Sequence, residues 1–275
     1  MMTPSCQNGF GWWTTGRDQA AIDLLLEVKK AVGTGLIPGR FNHVFCSKNA
    51  GEGPYSDTIM QLAQEAGIPT ISLSAMGFLP ELRKQNKDKW RTAYHQEILR
   101  LLGDLNPNFI VLAGYMWVVS PQLCTAIPTI NLHPAEPGGP VGTWQEVVWQ
   151  LISKQHKTAG AMMHLVTPEL DRGPAITYCS FPITGSKWQG LWEHYEQQLR
   201  QLGEAELQKI WRENLPLFAE IRKETVKREI PLIIQTIKAV CEGNFPIQEI
   251  HKGAPVSPLN LSIEIENQLL RHSIS

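Results

Sequence analysis

A strand-like run, Thr-Ile-Asn-Leu-His over residues 129–133, ends on two polar side chains and is followed at once by Pro134. Residues two apart on a strand project from the same face, so the Asn131 amide and the His133 imidazole share one neighbourhood. Pro134 holds His133 out of the helical region and fixes the end of the strand there. A buried strand favours Val and Ile. An amide beside an imidazole instead suits a site that stabilises a developing oxyanion and moves a proton. The competing reading is a polar pair satisfied by nearby loop backbone. Position favours chemistry, because ligands of parallel α/β sheets bind beyond the carboxyl ends of the strands. A working histidine also needs a carboxylate to orient and charge it. Asp171, in the turn Glu-Leu-Asp-Arg-Gly-Pro (169–174), is the candidate, although Asp and Gly also suit a plain turn. His164 alternates with Met162 on the preceding strand and reads as structural.

The elements that must position these residues alternate. Strand patterns at 10–15, 41–47, 68–74, 109–115 and 128–133 are separated by helical patterns at 17–32, 58–67 and 89–105 and by a short helix before residue 128. That spacing implies βαβ units. A helix over 143–154 then leads to two strands, 158–166 and 174–183, whose short turn connects antiparallel neighbours. The expected class is α/β and Rossmann-like: a mostly parallel sheet, helices on both faces, and an antiparallel strand pair late in the sheet. From Ser186 to Val240 the pattern is mostly helical, and after Gly243 there is little pattern until a short helix near 262–271. The expected organisation is a catalytic domain over 1–243, with a helical insertion at about 186–225, and a tail over 244–275.

Composition narrows the function classes. The 275 residues are 43% hydrophobic and 19% charged, as in an ordinary globular protein. A net charge of -1 argues against nucleic-acid or membrane partners bound by bulk positive charge. The five scattered cysteines (Cys6, Cys46, Cys124, Cys179, Cys241) form no CxxC pair and fit reduced thiols. Residues 1–16 have neither a basic region nor a long apolar one, so no signal peptide is read. The apolar stretch 109–119 is too short to span a bilayer, and a cytoplasmic protein is expected. There is no HExxH and no Cys/His cluster at zinc spacing, hence no metal site. A GxSxG elbow and a GxxxxGK[ST] loop are also missing. The first strand-to-helix turn has one glycine where a dinucleotide fingerprint needs three.

Taken together, NLHPAEPGGPVG (131–142), a helix, and GAMMHLVTPELDRGPAI (160–176) resemble the folate-dependent formyltransferases, among them the phosphoribosylglycinamide formyltransferases of purine synthesis. VLAGYMWVVSP (111–121) is similar to that family's folate strand and loop, and REIPLIIQTIKAVCEG (228–243) to its last helix. The resemblance spans residues from about 10 to 183 together with this last helix. It implies the formyltransferase fold and transfer of a formyl group from 10-formyltetrahydrofolate to a primary amine, 5-phosphoribosylglycinamide first. It also implies roles: His133 as general acid/base, Asn131 as the amide on the oxyanion, and Asp171 as the carboxylate that raises the histidine's pKa. Met116, Trp117, Val118 and Val119 would line the folate pocket, with Arg91 and Thr167 nearby.

The chain departs from the family pattern in four places. The phosphate-cradling Gly-Asn-Gly-Ser-Asn loop is replaced by Thr14-Thr15-Gly16-Arg17-Asp18, the loop after the histidine becomes Glu136 to Gly142, and Trp117 stands for the folate-loop arginine. About two dozen residues are added between Ile183 and the last helix. The first turn nonetheless offers an anion site of its own: backbone N–H groups at a helix N-terminus, Thr15, Gly16, the Arg17 guanidinium, and Lys48 within reach. The plain alternative is a helix start capped by Asp18. Open at this point are a formyltransferase for another amine, such as an amino sugar nucleotide, and a deformylase that passes the group to water. A methionyl-tRNA formyltransferase is disfavoured by the charge, and a non-catalytic relative is the reading from a different class.

Overall fold

Gly9–Thr14 (β1) is buried at every position, and its sequence is apolar on both faces, as a central strand of a parallel sheet requires. It leads through a turn to Gln19–Gly33 (α1), then Arg40–Cys46 (β2), Pro54–Glu65 (α2), Thr70–Ser72 (β3), Pro80–Gln85 (α3), Lys87–Leu102 (α4), Phe109–Leu112 (β4), Pro121–Ala126 (α5) and Thr129–His133 (β5). The computed structural model describes residues 9–272 and divides them into two compact units. The first contains 9–131, 164–174 and 234–256; the second contains 132–163, 175–233 and 257–272.

In the first unit the strands run in the order β3-β2-β1-β4-β5 and every pair is parallel. One sheet face carries Trp13, Phe45, Ile110 and Leu112, which pack with Trp90, Tyr94, Ile98 and Leu102 from α4 and Leu123 from α5. The four α4 residues recur every fourth position, which is the stripe a helix needs to bury one side. Several elements differ from the sequence expectation, among them β3, which spans only Thr70–Ser72 of the expected 68–74. Helix α2 begins at Pro54 rather than at 58, because the first helical turn needs no N–H from proline. The short α3 was not expected; Leu79, at φ 41°, turns the chain sharply before Pro80. Strand β4 ends at Leu112, and Gly114, at φ 70°, carries the chain away from the sheet.

The second unit contains Trp144–Ser153 (α6), most of Thr158–Leu165 (β6), Ala175–Pro182 (β7), Ser186–Leu202 (α7), Glu204–Trp211 (α8) and most of Pro216–Cys241 (α9). Helix α6 starts with a reciprocal capping box between Thr143 and Glu146, as the Thr-x-x-Glu spacing favours. Strands β6 and β7 are antiparallel neighbours: Leu165 N–H donates to the Pro174 carbonyl at 3.0 Å, and Gly160 lies against the Cys179 carbonyl. The core joins Val147, Leu151, Phe181, Trp188, Tyr195, Leu207 and Phe218.

Residues 244–256 belong to the first unit and form Ile247–His251 (α10). The remainder joins the second unit as Leu259–Asn260 (β8), parallel to β7, and Ser262–His272 (α11), the short helix expected near 262–271. Cys46, Cys124, Cys179 and Cys241 are buried thiols in no disulfide, while Cys6 and the rest of residues 1–8 lie outside the described residues. Among the described residues no helix is long and apolar enough to cross a membrane.

Candidate functional site

Two groups of expected site residues adjoin in the first unit: the turn after β1 with Lys48, and the loop 116–118 with Arg91. The turn after β1 holds Thr15, Gly16 and Arg17. Gly16 has φ 57°, and a Cβ there would stand 2.6 Å from the Ser56 backbone, so only glycine lets the start of α2 close on the turn. Lys48 Nζ donates to the Gly16 carbonyl at 3.3 Å, and Asp18 caps α1 through Ala21 N–H. Arg17 is 65% exposed and pairs with Asp18 at 3.0 Å, so an arriving anion must share that guanidinium with a carboxylate. Thr15 Oγ1 accepts from Met116 N–H at 3.0 Å and from Ser47 Oγ at 3.0 Å, and Ser47 Oγ in turn accepts from Trp117 Nε1–H at 3.2 Å. The anion turn and the expected folate loop are therefore joined side by side.

A cavity of about 460 Å³ is lined by Arg83, Lys84, Lys87, Trp90, Arg91, Met116, Trp117 and Val118. This size falls in the range of small-molecule sites. Its aromatic wall is built from Trp90 and Trp117, 5.3 Å apart, with the Arg83 guanidinium 5.9 Å from the Trp117 ring. Trp90 is fixed by stacking on Tyr94 at 5.0 Å and by donating Nε1–H to the Phe78 carbonyl. Met116 and Val118 are exposed at the cavity, whereas Val119 is buried in the core behind it. Arg91 pairs with Asp88 at 2.8 Å. Behind the loop, His95 Nε2 lies 3.0 Å from the Tyr115 hydroxyl and Nδ1 lies 2.9 Å from the Arg91 carbonyl. Burial pushes His95 down to about 4, so the ring is neutral at pH 7. Nδ1 sits between the Arg91 carbonyl and the Ser120 N–H, which lies 3.2 Å away, so the ring ties α4 to the start of α5.

The remaining expected residues lie elsewhere. Asn131 stands on β5 in register with Leu112 and is half-buried. Asp171 lies in the turn 167–174, which is tied to β5 by Val166 N–H donating to the Thr129 carbonyl at 2.7 Å. Its φ of 54° is a left-handed conformation that Asp tolerates better than most residues. A Cβ on Gly173 would collide with the Leu165 carbonyl, so the glycine of this turn is a packing requirement. Asp171 Oδ1 is 3.8 Å from Nε2 of His164, whose Nδ1–H donates to the Leu165 carbonyl. The sequence reading left His164 as structural and did not foresee this partner. Thr167 lines a different cavity, of about 380 Å³, with Cys124, Leu165 and His251.

His133 is in the second unit, 2% exposed, at the start of the loop 134–142. Its Nε2 lies 2.9 Å from the Pro140 carbonyl, and so carries a proton that it donates there. The loop is braced in turn: Thr158 Oγ1 donates to Glu136, and Gln150 donates to the Val141 carbonyl. Nothing about Gly-Pro content in the sequence reveals that Pro140 folds back onto the histidine seven residues before it. Arg83 and Trp90, which line the cavity, and Ser47, His95 and Tyr115, which act through a neighbour, carry no sequence signal of their own because only the fold brings them together.

The family described as formyl transferase matches residues 44–208, more than half of the chain. Phosphoribosylglycinamide formyltransferase of Schizosaccharomyces pombe is 30% identical over 174 residues, which cover 60% of this chain and 76% of that protein. The Saccharomyces cerevisiae enzyme of the same name is 28% identical over 147 residues, covering 50% of this chain and 68% of its own length. The crystal structure of glycinamide ribonucleotide transformylase 1 from Symbiobacterium toebii is alike in fold, with a TM-score of 0.58 at 19% identity over 88% of this chain and 90% of that one. The chain belongs to the formyl transferase family.

Proposed function

We propose that this protein transfers a formyl group from 10-formyltetrahydrofolate to the primary amine of 5-phosphoribosylglycinamide, as a cytoplasmic enzyme of purine synthesis. The observation that carries the reading is the Trp90–Trp117 cavity with its four cationic side chains, set beside the turn at Thr15–Arg17 in a chain of this family. A reduced folate is a flat ring system ending in carboxylates. It suits an aromatic wall with basic groups at the rim. The phosphate of the acceptor suits the helix N-terminus of α1, with Thr15, Gly16, Arg17 and Lys48 as its partners.

In this reading the transfer passes through a tetrahedral oxyanion on the formyl carbon. The Asn131 amide and the His133 imidazolium would stabilise that charge, each such donor contributing about 3–4 kcal/mol. His133 would then pass a proton from the attacking amine to the leaving folate nitrogen, with Asp171 as the third member of the set that the family resemblance implies. With Asp171 3.8 Å from His164, that second imidazole is a natural member of the same carboxylate's surroundings.

The test is a screen of acceptors with 10-formyltetrahydrofolate, followed by folate absorbance. Formylation of 5-phosphoribosylglycinamide in preference to amino sugar nucleotides and water supports the reading. Faster release of formate to water would make the protein a deformylase. No binding of 5-formyltetrahydrofolate up to millimolar concentration, against an expected affinity of about 8 kcal/mol, would leave a non-catalytic relative.

A further inference from the structure

Three side chains form a continuous hydrogen-bonded chain between the first turn and the aromatic cavity. Trp117 Nε1–H donates to Ser47 Oγ at 3.2 Å, and Ser47 Oγ–H donates to Thr15 Oγ1 at 3.0 Å. Thr15 Oγ1 also accepts Met116 N–H at 3.0 Å. Both bonds use the Thr15 oxygen as acceptor, so its own O–H proton remains available as the donor end of the chain, at the turn that continues into Gly16 and Arg17. Ser47 is 2% exposed, which keeps bulk water from substituting for either of its bonds. The backbone around the chain is braced separately: Thr15 N–H donates to the Gly114 carbonyl and Ser47 N–H to the Thr14 carbonyl. The hydroxyls are the adjustable part of a stiff frame.

We propose that Ser47 is a positioning residue that couples the acceptor turn to the folate cavity, so that each ligand tightens the other. Linked hydrogen bonds polarise one another. An acceptor oxygen that takes the Thr15 O–H proton strengthens the Ser47-to-Thr15 bond and makes Ser47 Oγ a better hold on the Trp117 indole. That indole is a wall of the cavity, 5.3 Å from Trp90. The effect is reciprocal, because coupling between two binding equilibria must be. The inference rests on the functional reading above, since it takes the folate as the cavity's ligand and the amine substrate as the turn's.

The experiment is calorimetry of 5-formyltetrahydrofolate, a folate that does not transfer its group, with and without saturating 5-phosphoribosylglycinamide. In the native protein the acceptor should tighten folate binding at least about fivefold. Ser47→Ala should bind folate alone to within about twofold of the native protein and lose the coupling, because the chain is cut while both ligand surfaces remain. Direct contact between the two ligands would survive this substitution, so loss of coupling isolates the relay. Trp117→Phe, which keeps a ring and removes Nε1–H, should lose the coupling too, and serves if Ser47→Ala does not fold. Coupling that persists in these variants overturns the proposal. Folate binding that is uncoupled in the native protein overturns it while leaving the functional reading intact. No folate binding at all removes the reading and the proposal together.

Discussion

The interiors of the two units are held by different chemistry. In the first, buried polar contacts are neutral: Trp13 Nε1–H donates to His43 Nε2 at 2.8 Å, and His95 meets Tyr115. Burial pushes both His43 and His95 down to about 4. In the second, the polar interior is ionic. Glu224 lies 2.8 Å from Arg228 and 2.9 Å from Lys187, and Arg228 also reaches Glu266 of α11 at 2.6 Å and lies 4.2 Å over the Phe181 ring. Burial alone would raise the Glu224 carboxyl, but hydrogen bonds from Lys227, Arg228 and Lys187 outweigh it and hold it at about 2. The difference follows from what each interior does. Ion pairs clamp α9 to α11 across a long stretch of chain. Around the Trp90–Trp117 cavity the interior stays neutral, and the cations Arg83, Lys84, Lys87 and Arg91 line the cavity itself.

This contrast can be broken at its strongest point by Arg228→Ala. The substitution removes the most buried of the three cations on Glu224, leaves Lys187 and Lys227 in place, and cuts the pair to Glu266; it should cost about 2–3 kcal/mol, read as a lower denaturant midpoint. Replacing both Arg228 and Glu224 by apolar residues should cost much less. A loss below about 1 kcal/mol for Arg228→Ala would mean that the ionic interior is not what holds the second unit together.

Acid should separate the two units next. The folded first unit refuses protons at His43 and His95 that the unfolded chain accepts. Its contribution is therefore complete above about 6.5 and is lost as pH falls toward about 4. Glu224 is the opposite kind of group, with a depressed carboxyl. Its contribution is complete above about 4.5 and is lost as pH falls toward about 2. Hydrogen exchange followed between these limits should show α4 losing protection at higher pH than residues 216–233 of α9. A common midpoint would contradict the comparison.

The smallest effect concerns the turn after β1. Arg17→Ala should raise the acceptor's KM about tenfold, roughly 1.4 kcal/mol, and leave folate affinity unchanged. The Arg17–Asp18 pair tempers the expectation, since the native guanidinium already has a carboxylate beside it. If KM does not move, the turn is a capped helix start and no more.

Much of this was legible in the sequence because it follows from local rules. The apolar run of β1, the fourfold-spaced stripe Trp90-Tyr94-Ile98-Leu102 and the Thr143–Glu146 capping box each announce their element. The residues expected together at a folate pocket are only partly together: Arg91, Met116, Trp117 and Val118 line one cavity, Val119 is buried behind it and Thr167 lines another. What could not be read depends on distant chain segments meeting. No pattern ties Ser47 to Trp117 over 70 positions, or sets Arg83 over a ring on another loop. The nearness of Asp171 to His164 was hidden for a related reason, since an Asp and a Gly in a turn look the same whether or not the carboxylate has a partner.

The central claim is that His133 performs the formyl transfer while the cavity in the first unit binds the folate. Its most direct test is the rate of 10-formyltetrahydrofolate turnover with 5-phosphoribosylglycinamide in His133→Ala, measured beside the affinity of the same variant for 5-formyltetrahydrofolate. Turnover should fall at least about 100-fold, the scale of a lost general acid/base, while folate affinity stays within about twofold. Near-native turnover in a folded His133→Ala protein would contradict the account and move the chemistry to another group.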